Sequence, residues 1–539
     1  MESTTDVRHE MAALTTEQIG ISGAKHAIFW FALLLTAAAV PIFLFKIPAL
    51  GDYINHLARM HIIATIDQDP LINQFYAIKW HIIPNLIMDV VVPPLVEYVG
   101  IFMAGKLFVF STIALILSGV FALHYAVYQR LSVWPLVVFL FIYNFALLLG
   151  LLNYMFGVGV VLWGITAWIG LRKRNPLLRG SVSLGIVLIL FVCHLYAVGL
   201  YGLVLLCFEV WVLSRERMYD LRRITVDALV LVGPFVVVLL LLMASPTSEL
   251  AFDNIWNPMR SKLNAVNWVM KVYHPKIDAS IGALVLGVAF WAIWRGVLRI
   301  HPVGGMVLAA GVVIYLVMPN TLFGSWAADY RLPIAVLILV IGFARWKIST
   351  PSERRLFVGI VVGLSLVRFA LVGTTWVNID HVYADLRESF KRIERGSTVL
   401  VVQAKIGYPF SRAWPLNYAG CLATIDRSSF APSLFTVEGK QVLTVKPRFQ
   451  DINMQYPYTL VPKLSDIVLA GRDTRQGQGG KTKYWMNWDK RFDYLLVLYT
   501  RDTDINPLPD RLSLLYRSNH FQLYKIHRNR SKQPAMAEP

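Results

Sequence analysis

The stretch 182-VSLGIVLILFVCHLYAVGLYGLVLLCFEVWVL-213 decides how this chain is folded. It reads either as one long tilted membrane helix or as a tight hairpin of two shorter ones that turn near His194. Its flanks separate the two. Arg172, Lys173, Arg174 and Arg179 precede it, and Arg215, Arg217, Arg222 and Arg223 follow it. Lys and Arg in short loops gather on the cytoplasmic side of a bilayer, so both clusters belong on one side and an even number of crossings must separate them. The spacing therefore predicts a hairpin whose tip, near His194, faces outward.

Similar apolar runs occupy about 27–45, 106–127, 134–152, 155–170, 228–244, 281–297, 303–318, 332–344 and 356–374. Several fall short of the roughly 20 residues a perpendicular span needs. Carrying the charge rule through them puts Arg130, Arg295, Arg299, Arg345, Lys347, Arg354 and Arg355 on the inner side too. The expectation is a mainly α, polytopic protein of about eleven transmembrane helices in the inner (plasma) membrane, with the N-terminus cytoplasmic. Composition agrees: 56% of the 539 residues are hydrophobic and only 16% charged, against about 25% in soluble domains. The net charge of +18 is then a matter of topology rather than of nucleic-acid binding. Residues 1–26 are too mixed in charge for a secretory signal and read as a cytoplasmic segment. The three cysteines, Cys193, Cys207 and Cys421, suggest neither a disulfide framework nor a zinc cluster.

The transmembrane domain is expected over 27–375, with outer loops at 46–105, 246–280 and 319–331. Beyond it, 376–528 mixes an amphipathic stretch, Val382 to Ile393, with strand-like runs at Ser397 to Gln403, Asp493 to Tyr499 and Phe521 to Ile526. That pattern predicts a C-terminal extracytoplasmic α/β domain, periplasmic in a bacterium. The polar segment 529–539 reads as a disordered tail.

Unusual polar residues then collect at the outer edge. Asp52, His56 and Arg59 follow the first run; His81, Asn85 and Asp89 come from the same loop; Asn153 and His194 sit at hairpin tips. Asp329 and Arg331 precede the tenth run, and Arg368 lies about two turns inside the eleventh. An ionised group in hydrocarbon costs about 2.5–3.5 kcal/mol on insertion scales, so these positions call for partners or ligands. In Gly51-Asp52-Tyr53-Ile54-Asn55-His56-Leu57-Ala58-Arg59, a helix would put Asp52, His56 and Arg59 on one face. The carboxylate could accept a proton from a hydroxyl while imidazole and guanidinium hold a phosphate. Equally, Asp52 could be a plain N-cap on an interfacial helix.

Arg331 reads as an anion ligand, as a partner of Asp329, or as an interfacial snorkelling residue. Arg368 needs a buried acid, water or a lipid phosphate. His194 more often would be a hydrogen-bonded core histidine than a ligand. Asp89 and Glu97 flank Pro93-Pro94 in a re-entrant or surface-lying segment. Trp80, Trp256, Trp268, Trp326 and Trp376 would suit sugar stacking or an interfacial belt. Gly479-Gly480-Lys481-Thr482 lacks the first glycine of a phosphate-binding loop, since Arg475 stands there.

A polytopic chain with an acid just past its first helix, short outward hairpins and a C-terminal α/β domain resembles the GT-C glycosyltransferases, which include protein O-mannosyltransferases and lipid A aminoarabinose transferases. The resemblance implies transfer of a sugar from a polyprenyl-phosphate-linked donor to an extracytoplasmic glycan, lipid or protein, with inversion. It makes Asp52 the catalytic base and Arg331 the first candidate for the donor phosphate, with Arg368 second. Many relatives carry Asp-Glu where this chain has Asp52-Tyr53, which leaves the subfamily open. A divalent cation is used by some relatives and not others, so metal and cofactor stay unassigned. Partners would be the donor, the acceptor and membrane lipids, with no nucleic acid. A transporter or a non-catalytic scaffold of an envelope polysaccharide machine are the competing functions; a transporter would place its polar site near the midplane, commonly with internal repeats.

Overall fold

The structure is a computed structural model and describes residues 3–215, 220–250, 254–256, 259–404, 414–454, 461–472 and 483–527. The tail expected at 529–539 and the motif at 479–482 lie outside the described residues. Each of the eleven apolar runs is helical, and eight of the described helices are long and apolar enough to cross a membrane. The fold is that of a mainly α, multi-pass membrane protein carrying a small sheet-containing C-terminal region.

The decisive stretch is two helices, Pro176–Cys193 and Leu195–Leu213. His194 between them is fully extended, with φ −175° and ψ 136°, which breaks the helical hydrogen-bond ladder. Pro176, Pro275, Pro302 and Pro351 each open a helix, where the missing N–H costs nothing. The run at 134–152 departs from a single span. A 3-10 helix, Trp134–Phe141, gives way to a short helix, Phe145–Leu149, capped by the Asn144 side chain and ended by Gly150 in the left-handed region at φ 91°. Asn144 offers the backbone an alternative to continuing the helix. Its Oδ1 accepts from Leu147 N–H at 3.1 Å.

The chain forms two compact units. The first comprises 1–44, 82–88 and 107–374; the second comprises 45–81, 89–106 and 375–539. Within the first unit, close helix packing relies on small residues. A Cβ at Gly311 of the Pro302–Val317 helix would stand 2.8 Å from Val336 in the Ala328–Gly342 helix. Four helices are also tied at their ends by a buried ionic cluster. Arg172 pairs with Glu209 at 2.9 Å and with Asp227 at 3.2 Å, Arg179 pairs with Asp227, and Trp168 donates to Glu209 at 2.8 Å. The basic cluster before the hairpin is thus partly matched by acids, which removes much of the cost of burying it.

The second unit is built on a four-stranded sheet in the order Val399–Gln403, Tyr494–Leu498, Phe521–Ile526, Leu512–Arg517. The first pair is parallel, with Val399 opposite Tyr494; the others are antiparallel. Every residue of Tyr494–Leu498 is buried, as expected of a central strand covered on both faces. The expected amphipathic stretch 382–393 is helical as far as Phe390, where it ends one uninterrupted helix, Pro351–Phe390. A small antiparallel pair, Tyr76–Ile78 with Leu443–Val445, joins the first loop to the C-terminal segment within this unit.

Candidate active site

In the second unit, Asp52 stands at the N-cap of the Tyr53–Thr65 helix with φ −87° and ψ −1°. Its carboxylate does not cap the helix, so the plain N-cap reading fails on geometry. Asp52 and His56 are one turn apart and half-buried, and the His56 N–H donates to the Asp52 carbonyl at 3.0 Å. The His56 ring meets Phe435 at 5.8 Å, and Phe435 meets Tyr418 at 5.1 Å. Burial first, then the negative charge of Asp52, lifts the Tyr418 phenol well above the usual tyrosine range. Asn55, on the helix beside them, donates to Ser433 O at 2.8 Å and accepts from Phe435 N–H at 2.9 Å. This pins the aromatic segment against the helix that carries Asp52 and His56.

Arg59 and Asp89 meet each other. Nε and Nη2 of Arg59 donate to the two carboxylate oxygens at 2.8 and 2.9 Å, with the arginine 1% exposed. Burial pushes the Asp89 carboxyl up against the pull of Arg59. The pair ties the short Ile87–Val91 helix to the Tyr53–Thr65 helix. Removing one member strands a buried charge at a cost of about 3–5 kcal/mol, whereas an apolar pair of similar volume is tolerated. Arg59→Met is therefore expected to lower the unfolding temperature of the purified protein strongly, and Arg59→Met with Asp89→Leu to recover most of the loss. A double variant as unstable as the single one contradicts this. His81, also in this unit, is exposed in the loop after Tyr76–Ile78.

In the first unit, Arg331 lies on the first turn of the Ala328–Gly342 helix, 6% exposed. Its Nη1 is 2.7 Å from His194 Nε2, and Nη2 donates to Trp326 O at 3.0 Å. The guanidinium faces the rings of Tyr154 and Tyr196 at 5.7 and 5.2 Å, and the Tyr154 hydroxyl donates to Arg331 O at 3.0 Å. His194 Nδ1 also stands 3.2 Å from the Tyr196 N–H. Burial, then Arg331, holds the His194 imidazole well below its ordinary range. A neutral imidazole has one acceptor nitrogen, so it accepts from Arg331 or from Tyr196, not both.

The loop leading into this helix is strained. Phe323 and Ala327 have φ of 50° and 61°, unfavourable for residues with a Cβ. Between them Trp326 is 43% exposed, with Tyr330 and Trp268 packed beside it at 6.4 and 6.0 Å.

Asp329 does not serve as the salt-bridge partner of Arg331 that sequence proximity suggested. It is fully buried and accepts from Asn320 Nδ2 at 3.0 Å and Lys262 Nζ at 3.4 Å. Arg368 has found a buried acid, Asp278, at 3.7 Å, and donates to Tyr143 O and Met270 O at 3.3 and 3.1 Å. Asn153 binds the backbone of Asn85 and Met88. Of the residues read from the sequence, Asp52 and His56 are brought together in one unit, and Arg331 and His194 in the other. Tyr154, Tyr196, Tyr418 and Phe435 were not anticipated. The first two follow Asn153 and His194 closely in sequence, the one signal that could have found them.

Among the described residues, no three of His, Cys, Asp and Glu converge to hold a metal ion. A Mg²⁺-type ion needs only one or two carboxylates together with substrate phosphates, so this leaves its use open.

No protein-family model and no curated protein matches the chain. Its fold is similar to that of ArnT from Cupriavidus metallidurans in the apo state, at 12% identity and a TM-score of 0.51, over 94% of this chain and 99% of that one. A structure of the same protein bound to undecaprenyl phosphate aligns at 12% identity and a TM-score of 0.49, over 93% and 98%. At that identity the likeness concerns the fold. The multi-pass helical architecture with a sheet-containing C-terminal region, expected from the sequence, is the one this chain has.

Proposed function

We propose that this protein is a GT-C-type glycosyltransferase that moves a sugar from a polyprenyl-phosphate-linked donor to an extracytoplasmic acceptor. One observation carries the reading: the ArnT fold runs through almost the entire chain, and within it Asp52 opens the helix that follows the first span. The acceptor hydroxyl gives its proton to the Asp52 carboxylate as its oxygen bonds to the anomeric carbon. The bond from that carbon to the phosphate oxygen breaks, and the electron pair leaves with the polyprenyl phosphate. A single displacement of this kind inverts the anomeric centre. His56, one turn from Asp52, is suited to orient the acceptor.

Arg331 is the group best suited to the donor phosphate. Its held position asks little rearrangement of an arriving ligand, because the imidazole that contacts it must choose between two donors. A phosphate offers the guanidinium charged acceptors in place of a shared neutral one. The exposed Trp326 face beside it suits the apolar face of a pyranose. Arg368 and Arg59, already engaged with buried acids, are weaker candidates.

The same reading places the protein in the plasma membrane with the N-terminus in the cytoplasm and the second unit outside. Lys173, Arg174, Arg215, Arg222 and Arg223 remain as basic excess on one side after Glu209 and Asp227 are matched to Arg172 and Arg179. Lipid extracts from a strain lacking this protein are expected to accumulate a polyprenyl-phosphate sugar, and its restoration to the wild-type level on complementation checks the assignment. Carrier-linked sugar pools unchanged by the deletion would argue for a scaffold or a transporter instead.

A further inference from the structure

Apart from the groups assigned above, the second unit contains a cleft of 520 Å³ whose lining includes Lys46, Asp380, Arg387 and Lys391. Its place along the chain is distinctive. Lys46 comes two residues after Leu44, where the first span ends, and Lys106 opens the apolar run 106–127 inside the Pro93–Tyr128 helix. Asp380 follows the last apolar run by six residues. These are the positions at which a chain leaving hydrocarbon meets the headgroup layer.

The charges there do not balance. Arg387 donates to both oxygens of Asp426 at 2.7 and 2.6 Å, and Lys391 pairs with Glu388 at 2.6 Å. Buried Lys106 lies within electrostatic reach of Asp380 but also of Lys46. Arg427, in the same lining, donates to a backbone carbonyl, Ile393 O, at 2.8 Å. Lys46 forms no salt bridge among the described residues; its ammonium rests 5.4 Å from the Phe102 ring, the ring that Arg387 also covers at 4.8 Å. Two cations held on one ring, within a lining where Lys and Arg outnumber Asp and Glu, make a site that an anion would complete.

The helix stretch that carries Phe102 also exposes apolar side chains, with Tyr98 80%, Val99 43% and Met103 40% exposed. An anionic group with an apolar tail satisfies both features; a free phosphate satisfies only the first. We propose that this cleft binds the phosphate headgroup of an anionic membrane phospholipid, with Lys46 and Lys391 as the groups that reach it. The assignment does not depend on the transferase reading.

The test uses the purified full-length protein in detergent, with native mass spectrometry reading bound lipid. Phosphatidylglycerol, phosphatidylcholine of the same chain length, inorganic phosphate and a polyprenyl-phosphate sugar are the probes. Phosphatidylglycerol is expected to bind at least tenfold more tightly than phosphatidylcholine. Lys46→Gln with Lys391→Gln is expected to remove that preference while leaving the unfolding temperature and the binding of the polyprenyl-phosphate sugar unchanged. Lys391→Gln alone, at a side chain 71% exposed, is expected to reduce the preference by a smaller factor and guards against misfolding of the pair. The proposal is overturned if the two phospholipids bind alike, or if the double variant binds phosphatidylglycerol as the wild type does. Displacement of the lipid by inorganic phosphate at equal concentration overturns it in favour of a free anion. Loss of polyprenyl-phosphate sugar binding in the double variant would make the cleft part of the donor site and overturn it as well. Failure of the wild type to bind the polyprenyl-phosphate sugar bears on the transferase reading alone.

Discussion

Asp52→Asn is expected to leave the protein as stable as the wild type and able to bind donor, while transfer slows by about 10²–10⁴-fold, the usual worth of a positioned general base. The stability half of this expectation is what makes the variant informative. Asp and Asn are equivalent as N-caps. A residue whose task is to start the Tyr53–Thr65 helix would therefore tolerate the change in every assay. Nor is the Asp52 carboxylate a helix cap here, so the amide removes no capping hydrogen bond. What it removes is a basic oxygen and the negative charge that acts on Tyr418. Single-turnover transfer from a labelled donor, measured beside a thermal melt, separates the outcomes. A normal rate would take Asp52 out of the base role.

Arg331→Ala is expected to raise the KM for donor by about 10- to 150-fold, corresponding to the roughly 1.5–3 kcal/mol of a hydrogen bond to a charged group. Because the leaving phosphate gains charge as the bond breaks, kcat should fall too. Arg331→Lys is expected to restore only part of the loss. A lysine is a point charge without the guanidinium fork, and it cannot reproduce together the contacts to Trp326 O and His194 Nε2. Binding of bare polyprenyl phosphate gives a second readout. A purely structural Arg331 would lower the melting temperature and leave the affinity of the surviving folded protein unchanged.

The sequence disclosed elements better than partnerships. The hairpin at His194 was legible because two basic clusters of one topology sign bracket it. The apolar runs were legible because a bilayer demands them, and the strands at 399–403, 494–498 and 521–526 because β-rich apolar stretches stand out in a polar domain. The run at 134–152 was read too simply: the cap offered by Asn144 and the left-handed Gly150 outweighed its hydrophobicity. The strand Leu512–Arg517 was missed, its inner positions interrupted by a bulge between Leu514 and Tyr516.

Charge pairing was the larger gap. Arg59 meets Asp89 30 residues later, Asp329 meets Lys262 67 residues earlier, and Arg368 meets Asp278, none within one helix. Periodicity carries no signal for such pairs, so the sequence asked for a buried acid beside Arg368 without pointing to Asp278, and left Arg59 and Asp89 unmatched. The aromatic walls around Arg331 and His56 were hidden for the same reason: they come from distant segments, and aromatic residues in membrane proteins have an interfacial explanation ready to hand. Asp52 and Arg331 themselves were legible from their place at the outer edge, and the resemblance then implied their roles.

The most direct measurement is the fate of a polyprenyl-phosphate sugar, labelled in the sugar, given to the purified wild-type protein with envelope extract as the source of acceptor. The account predicts that bare polyprenyl phosphate appears mole for mole with sugar joined to the acceptor, and that the new linkage has the anomeric configuration opposite to the donor's. Donor left intact in the presence of folded protein and competent extract, or a product with the donor's configuration, would contradict it.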